Sequence, residues 1–141
     1  MFKLIAHAAA VSTLLALSST SSFSAGHETP TVKAMDQNVS SGTVTAATIV
    51  SPADGWLVVH RTDASGKPGA VVGHAAVMHG NNENVTATLT EDVKPGDMLM
   101  LMLHGEAGGM TAGTFEYTLG AKEDGPVKVD GKLVMSTITA Q

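Results

Sequence analysis

Asp97-Met98-Leu99-Met100-Leu101-Met102-Leu103-His104-Gly105 decides how the rest of the chain is read. Successive side chains of a strand point to opposite faces. Met98, Met100, Met102 and His104 therefore share one face, and Leu99, Leu101 and Leu103 share the other. A strand apolar on both faces must be covered on both, which predicts a central strand in the core. The same alternation sets three thioethers and one imidazole in a row, the donor chemistry of a soft-metal surface.

The flanking sequence reads as strands and turns. Thr43, Val44, Thr45, Thr48, Ile49 and Val50 supply the β-branched side chains that a pleated, half-buried surface favours. Residues 56–61 and 70–78 are strongly apolar, and Gly73 within the second run marks a bulge or a close backbone approach. His79 to Glu83 reads as a turn, and residues 84–90 alternate Val85, Ala87 and Leu89 against threonines. Residues 114–119 alternate too, with Phe115, Tyr117 and Leu119 expected to face inward. Asp130-Gly131 between two alternating runs is a hairpin signal. Residues 62–69 and the glycine-rich 105–113 read as loops. Eight or nine short strands at intervals of about ten residues, with no helical period, predict an all-β antiparallel β-sandwich. An up-and-down barrel is the alternative.

The N-terminus has its own pattern. Lys3 precedes an apolar run from Leu4 to Leu17, and small residues from Ser18 to Ala25 follow. That is the three-part pattern of an export signal, expected over residues 1–24, with a polar leader at 25–30 and the β domain at 31–141. The run is too short to span a bilayer, which takes about 20 apolar residues. The expectation is a periplasmic or secreted product with no membrane insertion. The chain has no Cys, so such a domain rests on its core and its sheet ladders without disulfides. Eight Lys+Arg stand against thirteen Asp+Glu, with no basic cluster, so a nucleic-acid partner is not expected.

Catalytic machinery is not visible. The chain carries no Cys nucleophile, no Gly-x-Ser-x-Gly, no phosphate loop and no His-Glu-x-x-His. A non-catalytic binding protein is expected, with copper as the ligand. A blue-copper centre requires a thiolate and is excluded, whereas thioether and imidazole without thiolate suit Cu(I). His60 ends one strand on the face of Trp56 and Val58, and His104 ends another on the methionine face. If those strands are neighbours, both imidazoles are expected near one end of the pair. Met102 would be in reach, and His74 and His79 would join from a third strand. His27 offers a second site: near a newly cut N-terminus, its imidazole, the free amine and backbone amides suit Cu(II). The competing expectation is that the methionines fill the core and the two histidines bond loop carbonyls. Function would then be that of a structural or cell-surface interaction domain with no small ligand.

Gly55-Trp56-Leu57-Val58-Val59-His60, Ala70-Val71-Val72-Gly73-His74, Glu83-Asn84-Val85-Thr86, Met102-Leu103-His104 and Asp124-Gly125-Pro126-Val127, with Asp130-Gly131, follow one another in a characteristic order. In this the chain resembles, over roughly residues 31–140, an uncharacterised prokaryotic family of small exported β-sandwich domains classed as a domain of unknown function. The resemblance implies an immunoglobulin-like or cupredoxin-like sandwich and no established activity.

Overall fold

A computed structural model of the protein describes residues 28–141. The expected export signal and His27 lie outside the described residues. Within them the chain forms β1 (Thr31–Lys33), β2 (Thr43–Ser51), β3 (Gly55–Thr62), β4 (Val71–Val77), β5 (Gly80–Leu89), β6 (Met98–Gly105), β7 (Lys128–Val129), β8 (Lys132–Leu133) and β9 (Met135–Thr139). Among these residues no helix is long and apolar enough to cross a membrane.

Seven strands join in one antiparallel sheet in the order β1-β2-β5-β4-β3-β6-β9, and β7 and β8 form a separate hairpin. The expected all-β, antiparallel architecture is what forms. The hydrogen bonding runs unbroken through the seven strands, and the sheet curls until β9 returns beside β1. Ser136 Oγ donates to Ala34 O at 3.2 Å, the Thr139 N–H donates to Asp36 Oδ1 at 2.7 Å, and Gln37 bridges Ala140 in parallel. The sheet is thus nearly closed, with little open edge left to template pairing with another chain.

Inside the curl lies one core. Val44, Ala46 and Ile49 of β2, Leu57 and Val59 of β3, Val72 and Val77 of β4, Ala87 of β5, Leu99, Leu101 and Leu103 of β6, and Ile138 of β9 all turn inward. As the sequence predicts, β6 is central and doubly buried: Leu99 through His104 are buried without exception. The leucines belong to this inner core. Met100 and Met102, equally buried, do not, and neither do Trp56 and Val58 of β3. A second apolar layer therefore lies on the outer face of β3 and β6.

Local chemistry explains most boundaries. Asp130 (φ 51°) and Gly131 (φ 76°) both adopt the left-handed conformation that a two-residue hairpin requires. The pairing of β3 with β4 shifts between Val59 and His60, next to Gly73, where a Cβ would stand 2.7 Å from Thr88 O. Two expectations need correction. The turn expected at 79–83 is mostly strand: Asn81, Asn82 and Glu83 pair with Val50, Ile49 and Thr48. Backbone pairing there needs no apolar side chains, and Asn82 folds back to bond Met78 N and O. The strand expected at 114–119 does not form. Tyr117 is buried but Leu119 is exposed, and the segment is an extended loop laid across the outer face of the sheet. Its aromatic rings find other rings as partners, and no ladder is needed to hold them.

Gly55 marks the tightest point of the β3–β6 pair, because a Cβ there would run into the His104 carbonyl oxygen. Gly55→Ala is expected to lower stability by about 1–3 kcal/mol through this overpacking, read as a reduced urea midpoint at unchanged slope.

Candidate metal centre

The outer layer is built by register. In the β3–β6 ladder Trp56 faces His104, Val58 faces Met102 and His60 faces Met100. Antiparallel pairing therefore sets His60 and His104 at opposite ends of the strand pair, which corrects the expectation that they share one end. Their side chains nonetheless lean toward each other over the Val58–Met102 pair and meet edge to edge, Nε2 to Nε2, at 3.3 Å with the ring planes 28° apart. Both are fully buried.

Two loops supply the polar partners. His60 Nδ1 lies 2.9 Å from the Gly69 carbonyl oxygen, at the end of the 62–69 loop. His104 Nδ1 lies 2.6 Å from the carbonyl oxygen of Asp124. A carbonyl only accepts, so each Nδ1 carries a proton and donates. In the neutral rings the two Nε2 atoms are then bare lone pairs, each directed at the other. Burial pushes the His60 pKa below 6.5 against the opposing pull of the Gly69 carbonyl. Burial likewise carries His104 down to about 4, with the Asp124 carbonyl working against it. At neutral pH both rings are therefore neutral, and the lone pairs face each other in a buried site.

The cover is the segment between β6 and β7. Tyr117 stands edge-on to His104 at 4.4 Å between ring centroids and to His60 at 5.8 Å. Phe115 stacks on His74 at 4.2 Å and leans on Trp56 at 5.5 Å. The Trp56 indole N–H donates to Glu106 Oε2 at 3.0 Å, tying down the start of the segment.

Of the residues singled out from sequence, the fold brings His60 and His104 together and sets Met102 on the same face beneath them. It does not bring in His74, which pairs across from Val58 but turns its ring to Phe115 and Trp56. His79 sits exposed at the β4–β5 turn, its backbone N–H on Asp54. His27 lies outside the described residues. The expectation that the two histidines bond loop carbonyls is met as well, through Nδ1. Sequence reading missed Gly69, Asp124 and Tyr117. Phe115 and Tyr117 carry a signal, the alternation at 114–119, which a strand and a segment laid over a sheet face satisfy equally.

Among the described residues no three of His, Cys, Asp and Glu converge. What the outer layer offers is two neutral imidazoles, both presenting Nε2, on a methionine-bearing face. Nδ1–H donated to a backbone carbonyl is also the arrangement that orients metal-ligating histidines and raises their basicity.

The depressed pKa of His104 has a sign. Between pH 6.5 and about 4 the unfolded chain binds a proton that the folded, metal-free protein refuses. The stability held above pH 6.5 is lost as the pH falls toward 4, by on the order of 3 kcal/mol. In His104→Leu this component disappears, so urea unfolding of the two metal-free proteins should give stability–pH curves that diverge from parallel below pH 6.5.

No curated protein and no solved structure matches the chain. A family model matches residues 30–141, the whole of the β domain. The chain belongs to the family described as Domain of unknown function (DUF7282).

Proposed function

We propose that this is an exported, non-catalytic copper-binding protein, periplasmic or secreted, that holds Cu(I) between His60 Nε2 and His104 Nε2. The observation that carries the reading is the pair of facing lone pairs at 3.3 Å, each fixed by an Nδ1–H bond to a carbonyl. Two buried acceptors with no proton between them are stabilised by a cation that accepts from both. A metal about 2.0–2.1 Å from each nitrogen would subtend roughly 105–110° across that gap, the angle of a three- or four-coordinate site. A linear two-coordinate ion would need a wider gap. Met102 is the side chain on that face from which a further donor would come. Imidazole with thioether, and neither carboxylate nor thiolate, favours Cu(I) over zinc or a hard cation. Export is supported by the N-terminal sequence pattern. The curled sheet, with core side chains from opposite walls packed together, is read as a flattened sandwich of the immunoglobulin-like or cupredoxin-like kind.

A second reading has its own support. Through Nδ1 the two histidines fasten the 62–69 loop and the Asp124 loop to the sheet, a purely structural service. The domain would then be a structural or cell-surface interaction module.

Anaerobic titration of the metal-free protein with Cu(I) against a chromophoric chelator separates the two. Copper binding predicts one equivalent held tighter than about micromolar, weakened more than about 100-fold in His60→Ala and His104→Leu and about 10-fold in Met102→Leu. Wild-type protein that holds no Cu(I) below micromolar overturns the copper reading and leaves the structural one.

A further inference from the structure

Asp124 is fully buried, yet among the described residues its side chain forms no ion pair. Oδ2 accepts the backbone N–H of Glu116 at 2.8 Å and Oδ1 accepts that of Ala107 at 3.2 Å. Its own N–H donates to Ala107 O at 2.8 Å, and its carbonyl oxygen takes the His104 Nδ1–H at 2.6 Å. One residue thus engages the first turn of the covering segment, its middle and the histidine beneath. Its backbone is held at φ 46°, a left-handed conformation uncommon outside glycine. Such strain persists only where the surroundings over-determine it. The next residue is fastened too, since the Gly105 N–H donates to Gly125 O at 2.9 Å.

We infer that Asp124 is the positioning residue of the histidine pair: its carboxylate clamps the 106–124 segment so that its carbonyl holds His104 with Nε2 turned toward His60. A free imidazole has no need to protonate Nδ1 over Nε2. Only an acceptor fixed at Nδ1 forces the bare nitrogen toward its partner, and that acceptor lies at the end of a short pairing with β6, in which the Gly105 N–H donates to Gly125 O and the Val127 N–H to Leu103 O, so only its far side is held by the strand. The carboxylate supplies the constraint on the near side by gathering two backbone N–H groups, from the start and the middle of the covering segment. His60 is independent of this clamp, because its acceptor belongs to Gly69 on the other loop. That independence makes His60 an internal control.

The inference rests on the copper reading for its purpose but not for its test. Long-range proton–nitrogen NMR of the metal-free, nitrogen-15-labelled protein at neutral pH reads each imidazole tautomer directly. Wild type should show His60 and His104 both protonated at Nδ1. In Asp124→Ala, His104 should pass largely to the Nε2–H form while His60 keeps Nδ1–H, and Cu(I) affinity should fall about 10–100-fold. Asp124→Asn keeps the shape, one acceptor oxygen and tolerance of positive φ, so it should fall between the two and serves as the deciding variant if the alanine protein does not fold. An unchanged His104 tautomer in the folded variant overturns the inference, as does loss of the His60 tautomer alongside it, which would signal general loosening. Wild type with the expected tautomers but no Cu(I) binding would overturn the copper reading alone and leave Asp124 as a positioning residue.

Discussion

A strand pair that is apolar on both faces has to be covered twice, and the rest of this structure follows from how that is done. Leu57, Val59, Leu99, Leu101 and Leu103 are covered by the sheet itself, which curls until β9 lies beside β1. Trp56, Val58, Met100 and Met102 face the other way and cannot share that core. They are covered by the 106–127 segment, whose Phe115 and Tyr117 bring the aromatic surface the curl cannot reach. Fully burying side chains of this size contributes about 1.5–3 kcal/mol each, which makes the outer layer energetically comparable with part of the inner one.

Placing histidines in that outer layer creates the chemistry. A buried imidazole has two nitrogens to satisfy, and unpaired buried polar atoms are costly. Here each ring gives its proton to a loop carbonyl, and that choice determines what is left over: two acceptors that face each other and cannot satisfy one another without a shared cation. The loops are therefore part of the site although their side chains are mostly not. Asp124 shows the same division, since its carbonyl touches the histidine while its carboxylate holds the loop.

Much of this was legible beforehand. The period-two alternation of residues 98–104 places β6 at the centre, because only a doubly covered strand tolerates apolar residues on both sides. The Asp130-Gly131 turn and the Gly73 irregularity are backbone chemistry and could be located from residue type. The alternation at 114–119 misled for a physical reason: an extended segment that buries every second side chain satisfies the same pattern whether its backbone pairs with a strand or lies over a sheet face. Asn81 to Glu83 misled in the opposite sense, since ladder hydrogen bonds depend on the backbone and leave the polar side chains free to face solvent.

The sequence by itself determined the all-β antiparallel class, the two-faced central strand and the pool of donors, imidazole and thioether without thiolate, because these depend on residue type and local spacing. It left open which donors meet. In one dimension His60 and His104 pair only if their strands are neighbours, and His74 and His79 stay open as additions from a third strand. Antiparallel pairing of β3 with β6, two strands with 35 residues of chain between them (63–97), decided that two of them meet. It set His60 and His104 at opposite ends of the pair and let their rings lean together over Val58 and Met102. The tautomers were decided later still, by the carbonyls of Gly69 and Asp124, backbone groups that every residue has and that no sequence pattern distinguishes. Only the closed tertiary structure puts those two in position, because only packing specifies which carbonyl comes within reach of which ring.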